Sequence, residues 1–311
     1  MNIVWIVLGV LVGAVVLVLL AAFVCFMMAF YAPKRKPVGE DEFPIPPGDI
    51  YLPHRDRMVA WMKETREAPH TEMSVTSFDG LTLRGNYYEC APGAPIELMI
   101  HGYRGTAERD LCGGVQRAFA LGHNVLTIDQ RASGLSDGHI ITFGILESRD
   151  CLTWIDHIQQ TFGDDTKIYL TGISMGAATV LTAVGRGLPK TVVGILADCG
   201  YSTSRDIIRK VIRQLHLPAD LLYPLIRLGA RLYGGFDPEE LSPLEAMKLC
   251  DIPVIFFHGD TDDYVPCDMS RENFDACTSE KKLVIVPGAG HGLAYVANGD
   301  AYVAALREFW G

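Results

Sequence analysis

The stretch from Lys167 to Ala183 constrains this chain more than any other. Lys167-Ile168-Tyr169-Leu170 is a short apolar run that reads as a buried strand. Thr171-Gly172-Ile173-Ser174-Met175-Gly176 follows, and Ala177-Ala178-Thr179-Val180-Leu181-Thr182-Ala183 then reads as a helix. A strand that turns into a helix through Gly-x-Ser-x-Gly makes a corner too tight for side chains, so Gly172 and Gly176 stand where a Cβ would clash. The corner pushes the Ser174 hydroxyl out at the top of a sheet. It also leaves the Met175 amide at a helix N-terminus, where it can stabilise a developing negative oxygen. Two glycines around a serine can arise by chance in a chain with 31 glycines; the strand–turn–helix context is what gives them weight.

Around this corner the pattern is α/β. Strands are expected at Ile96–Ile100, Asn124–Ile128, Lys167–Leu170, Val192–Ala197, Val254–Phe257 and Leu283–Val286. Helices are expected near Glu108–Leu121, Leu146–Phe162, Met175–Val184, Cys267–Cys277 and Ala294–Trp310. Such alternation predicts a parallel sheet with crossover helices on both faces. A hairpin precedes it, with Glu72–Ser77 and Leu81–Tyr88 joined at Phe78-Asp79-Gly80. Arg55–Arg66 has a helical pattern suited to packing. Tyr201–Lys248 breaks the rhythm with helical segments rich in leucine and isoleucine, and reads as a cap over the top of the sheet. Some of its apolar residues are expected to face the sheet and some, Leu222 and Leu225 among them, to line a substrate pocket. The alternative is an enlarged surface crossover.

The N-terminal part is of another kind. Residues 1–33 contain no charge, and Ile3–Tyr31 is long enough to span a hydrocarbon core of about 30 Å. A cleaved signal peptide would want a basic start, a shorter apolar core and a small-x-small cleavage site, none of which is clear. The domains expected are a transmembrane anchor at 1–33, a Pro- and Gly-rich linker at 34–53, and a catalytic domain at 54–311 with the cap at about 201–248. Lys34-Arg35-Lys36 lie just after the apolar run, so the positive-inside rule puts the catalytic domain in the cytoplasm. Eight scattered cysteines, with no Cys-x-x-Cys, fit free thiols in a reducing compartment and give no zinc-site spacing. A net charge of -10 and no Lys/Arg-rich tract argue against a nucleic-acid partner.

A serine needs a general base oriented by a carboxylate. The chain offers both in the order Ser, acid, His, each after a strand. Gly288-Ala289-Gly290-His291-Gly292 supplies the imidazole, and Phe256 to Pro266 supplies Asp260, Asp262 and Asp263. Four blocks carry a family resemblance: His101-Gly102-Tyr103-Arg104-Gly105, Asp129-Gln130-Arg131-Ala132-Ser133-Gly134-Leu135-Ser136, the serine corner, and the two C-terminal loops. In these the chain resembles the alpha/beta-hydrolase superfamily, within it the serine aminopeptidase-like and prolyl-oligopeptidase-like branch, over most of Thr71 to Trp310.

The resemblance implies an alpha/beta-hydrolase fold with a mostly parallel central sheet and a small helical cap. The family's His-Gly-x-x-Asp-x-x-Val-Pro loop puts the acid on Asp262, with Asp260 second and Asp263 solvated. The Tyr103 amide is implied as the second oxyanion donor beside Met175, and His101 as a structural residue under that loop. Asp129 and Arg131 are expected to brace loops, and Asp198 to be structural. Ala132 replaces the family's usual glycine, and the turn is expected to survive. The other histidines, His258 included, are read as structural.

The expected function is a membrane-anchored serine hydrolase acting on an ester or thioester of an acyl substrate through Ser174, His291 and Asp262, with no cofactor and no metal. A peptidase, a transferase using the same residues, or a non-catalytic binding module on the same fold are the alternatives. The sequence leaves the oligomeric state open.

Overall fold

The computed structural model describes residues 3–34 and 38–311. It begins with helix α1 (Ile3–Ala29), a 3-10 turn at Asp49–His54 and α2 (Arg55–Glu67). The hairpin β1 (Thr71–Thr76) and β2 (Thr82–Tyr88) follows, then β3 (Ile96–Ile100), α3 (Ala107–Asp110), α4 (Gly114–Ala120) and β4 (Asn124–Asp129). Next come α5 (Glu147–Phe162), β5 (Ile168–Ile173), α6 (Met175–Val184) and β6 (Val192–Asp198). The insertion contains α7 (Ser204–Gln214), α8 (Ala219–Gly229), a π-helical turn at Ala230–Gly234 and α9 (Pro243–Met247). The chain closes with β7 (Val254–Gly259), α10 (Cys267–Ala276), β8 (Lys281–Val286), α11 (Ala294–Ala297) and α12 (Gly299–Trp310).

The eight strands form one sheet in the order β1-β2-β4-β3-β5-β6-β7-β8. β1 and β2 pair antiparallel, as do β2 and β4, and every later pairing is parallel. Strands β3 and β7 are buried at every position, as expected of strands covered on both faces. All ten residues of α6 are buried, so the helix behind Ser174 is itself core.

Two expected helices are broken. Glu108–Leu121 divides at Gly113, which adopts φ 81°, a conformation cheap only for glycine. Ala294–Trp310 divides at Asn298, whose side chain caps the Ala301 amide of α12.

The N-terminal segment is more than a tether. α1 is exposed on every side from Ile3 to Leu20, but Ala22 and Phe26 are buried. Beyond the helix Phe30 is fully buried, and Ile141 donates to its carbonyl at 2.8 Å. Phe26, Phe30 and Ala32 share one apolar cluster with Met175 and Ala178 of α6, with Ile207, Ile208 and Ile212 of α7, and with Tyr223 and Ile226 of α8. The apolar residues of the cap therefore find their partner in the end of α1. Arg35 and Lys36, on which the orientation argument leans, lie outside the described residues.

Candidate active site

The serine corner is sterically enforced. A Cβ on Gly172 would stand 2.2 Å from the Gly176 carbonyl oxygen, and one on Gly176 would stand 2.0 Å from that of Ile100. Ser174 itself sits at φ 56°, a left-handed conformation that costs an ordinary residue on the order of 1 kcal/mol. Its amide donates to the Asp198 carbonyl at 2.8 Å, which locks the corner to β6.

β8 ends at Val286, and its following loop brings His291 over this corner. His291 Nε2 lies 2.9 Å from Ser174 Oγ, and Nδ1 lies 2.7 Å from Asp262 Oδ2. Of the three candidate acids, only Asp262 reaches the imidazole. Asp260 is exposed and accepts the Gly288 amide at 2.6 Å, so it braces the histidine loop from outside. Asp263 is exposed, as expected.

Asp262 is held by more than His291. Its Oδ1 accepts the Tyr264 and Val265 amides at 2.9 and 2.8 Å. Its Oδ2 also faces His258 Nε2 at 3.2 Å. Burial works to raise the carboxyl, but hydrogen bonds from His258 and His291, the charge of His291 and the Val265 amide outweigh it and hold it well below the usual carboxylate range. His258 is fully buried between β7 and α10, with Nδ1 2.7 Å from Ser270 Oγ and Nε2 2.9 Å from the Val265 carbonyl. A carbonyl and a carboxylate both facing Nε2 place the hydrogen there, so Ser270 donates to Nδ1. The structural reading of His258 was right in kind but missed that the structure it supports is Asp262.

His101 does sit under its loop. It is fully buried, its Nε2 accepts the Gln130 amide at 3.0 Å, and its Nδ1 therefore donates to the Gly102 carbonyl at 2.8 Å. This fixes the strand-end turn that carries Tyr103 to the edge of the cavity beside Ser174. Met175 N–H is the first of α6 and has no intrahelical acceptor. Arg131 is clamped between Asp150 (2.6 and 2.7 Å) and Asp79 (2.9 and 3.1 Å). Asp129 accepts the Ala107 and Leu135 amides. Both are braces, as the sequence suggested. Ala132 keeps the turn at φ 60°, its amide bonded to the Asp137 carbonyl.

A cavity of about 400 Å³ opens at Ser174. It runs down between the sheet (Met99, Thr171, Leu196) and the α3–α4 and α11 segments (Leu111, Gly114, Tyr295). Pro46, Pro47, Tyr51 and Met58 also line it. No residue of the 201–248 insertion lines it. The expectation that Leu222 and Leu225 line a pocket is corrected: the cap spends its apolar face on α1, while the segment expected to be a bare linker walls the cavity. Tyr51 also donates to the His291 carbonyl at 3.0 Å. The cap does touch the site indirectly, since Gln214 donates to the Asp263 carbonyl and Lys210 to those of Asp263 and Tyr264.

Two residues near the site had no sequence signal beyond their strand-end position. Asp198 is buried with Oδ2 accepting from the Tyr302 hydroxyl at 2.9 Å and Oδ1 without a hydrogen-bond partner among the described residues; burial pushes it up to about 6. Cys199, at φ 46°, places its thiol within 4.8 Å of Asp262 and His291. Three such ligand types can hold a metal, but burial raises this thiol well above its usual range and opposes the thiolate a metal requires.

The loop after β3 that carries Tyr103 is tied to the N-terminal segment. The Tyr103 hydroxyl donates to the Ala29 carbonyl at 2.7 Å, and Arg104 donates to those of Met28 and Tyr31 at 3.0 and 3.1 Å. The Met28 and Ala29 carbonyls are open ones at the end of α1, and Tyr31 lies just beyond it.

With this geometry in place, comparison with known proteins gives a consistent answer. A family profile described as alpha/beta hydrolase fold matches residues 98–223. The Bacillus subtilis protein YqkD is 28% identical over 190 residues, covering 61% of this chain and 62% of its own length. The Escherichia coli protein YfhR is 23% identical over 299 residues, covering 92% of each chain. Among solved structures, the Pyrococcus furiosus esterase Pf2001 superimposes with a TM-score of 0.65 at 19% identity, over 89% of this chain and 98% of the esterase.

Proposed function

Taking as premise that the chain has the alpha/beta-hydrolase fold, we propose that it is a membrane-anchored serine hydrolase that cleaves esters or thioesters of an acyl substrate. The observation that carries this reading is the continuous hydrogen-bonded chain from Ser174 Oγ through His291 to Asp262 at one end of a cavity. In the proposed reaction Ser174 attacks the substrate carbonyl as His291 Nε2 takes its proton. Asp262 holds the tautomer with hydrogen on Nδ1 and stabilises the imidazolium. The Met175 and Tyr103 amides receive the oxyanion. His291 then protonates the leaving group, and a water activated by the same imidazole releases the acid and restores Ser174.

The ester preference rests on the cavity walls, which are mostly apolar, and agrees with the esterase name of Pf2001. No cofactor enters these steps. Membrane anchoring rests on α1, 27 residues without a charge and exposed along most of its length. Cytoplasmic placement of the domain follows from the basic residues after it. The test is hydrolysis of p-nitrophenyl esters of graded chain length by the wild type and by Ser174→Ala. The reading expects turnover that the alanine variant loses while its melting temperature stays within a few degrees. Equal turnover by both would refute it.

A further inference from the structure

The cap carries an apolar tip at the level where α1 leaves the domain. The π-helical turn Ala230–Gly234 exposes Leu232 and Tyr233. The Tyr233 hydroxyl donates to the Leu19 carbonyl at 3.1 Å, and its ring meets Phe23 edge-on at 5.2 Å. On α1 at the same level, Leu20, Phe23 and Val24 are exposed as well. Tip and helix thus form one continuous apolar surface.

Packing fixes the tip to the helix. A Cβ on Gly229 would stand 2.4 Å from the Ala22 carbonyl oxygen and 2.8 Å from Phe26 Cβ, so α8 and α1 touch backbone to backbone. The tip cannot sink or rise without the helix. The stretch of α1 exposed on all sides, Ile3 to Leu20, is about 27 Å long at about 1.5 Å per residue. A hydrocarbon core of about 30 Å takes in about two residues more, and Tyr233 meets α1 at Leu19 and Phe23, on either side of that limit.

The charges behind the tip complete the pattern. Arg227 and Arg231 both bond Asp237, at 2.9 Å from Arg227 Nε and 3.0 Å from Arg231 Nε. Arginine and tyrosine flanking an apolar tip is the composition of a membrane–water boundary. Because the arginines are paired with carboxylates, the tip owes little to anionic lipid.

We propose that the cap tip is a lipid-binding surface: Leu232 and Tyr233 insert into the headgroup–acyl boundary beside α1 and seat the domain against the bilayer. This rests on the reading of α1 as a membrane span. The full-length protein, one copy per phosphatidylcholine nanodisc, is given an environment-sensitive fluorescent amino acid at Leu232, at Leu11 in mid-helix, or at Leu249. Leu249 is exposed just before β7, at the opposite end of the strands from the cap. The proposal expects the Leu232 label to be blue-shifted relative to that at Leu249 and quenched by lipids doxylated near the headgroup, with or without added anionic lipid. A Leu232 label as wet as that at Leu249, with the Leu11 label quenched from mid-bilayer, would overturn the proposal and leave the span standing. A Leu11 label that no lipid quenches would overturn both.

Discussion

Asp262 meets four donors, two backbone amides and two imidazoles. That is why a buried carboxyl stays ionised beside the proposed nucleophile and base. Replacing it with Asn should leave the fold intact but lose the tautomer control of His291, and kcat should fall about 10⁴-fold, as in other serine triads. Asp260→Asn should cost far less, because Asp260 holds only the Gly288 amide. Steady-state kinetics on one ester decides, and a larger loss at Asp260 would reverse the assignment. Asp198 gives a different kind of test. Its folded-state value of about 6 exceeds the unfolded value of about 4. The folded state therefore keeps this proton longer, and Asp198 costs stability progressively as pH rises from about 4 to about 6, on the order of 3 kcal/mol in all. Asp198→Asn should flatten that part of the stability–pH curve and raise the melting temperature at pH 7. Melting curves of both proteins from pH 4 to pH 7 check it; parallel curves would refute it.

At the scale of elements, what could be read in advance was local. The corner at Ser174, the strands and the glycine-rich loop of His291 follow from rules acting within a few residues, whereas among Asp260, Asp262 and Asp263 only the family resemblance pointed to Asp262. Tyr51 reaches His291 across 240 positions, and Phe30 shares an apolar cluster with residues of α7 and α8 far along the chain, from Ile207 to Ile226. Composition says only that such residues are apolar, never which apolar face they meet. This is how the cap came to be assigned a pocket it does not line. Two predictions follow from its real partners. Deleting residues 1–18 should leave melting temperature and activity near wild type. Deleting 1–36 also removes Phe26, Phe30 and the carbonyls that hold Tyr103 and Arg104. Losing one buried Phe costs about 3–5 kcal/mol, so this longer deletion should lower the melting temperature by about 10 °C or more and depress kcat. Chain-length preference should shift with Met58→Trp, which adds bulk to a cavity wall, and not with Leu225→Ala. Each methylene excluded is worth about 0.8 kcal/mol, or roughly fourfold in kcat/KM. An ester panel that moves with Leu225 instead would return the cap to the pocket.

At the scale of the whole molecule, one apolar helix, a cap and the loop of Tyr103 are joined by direct contacts. α1 ends on Arg104 and Tyr103, α8 packs on α1, and α7 holds the carbonyls of the acid loop. The proposed membrane span and the proposed site are thus joined by direct contacts rather than by a free tether. Everything functional in this account still hangs on one atom, Ser174 Oγ. The most direct measurement is to treat the full-length protein with a fluorophosphonate and locate the adduct by peptide mass spectrometry. The account predicts a single stoichiometric phosphonyl adduct on Ser174, absent from Ser174→Ala and strongly slowed in His291→Ala. An unlabelled Ser174 in a folded protein, or an adduct formed equally well on another residue of the alanine variant, would contradict it.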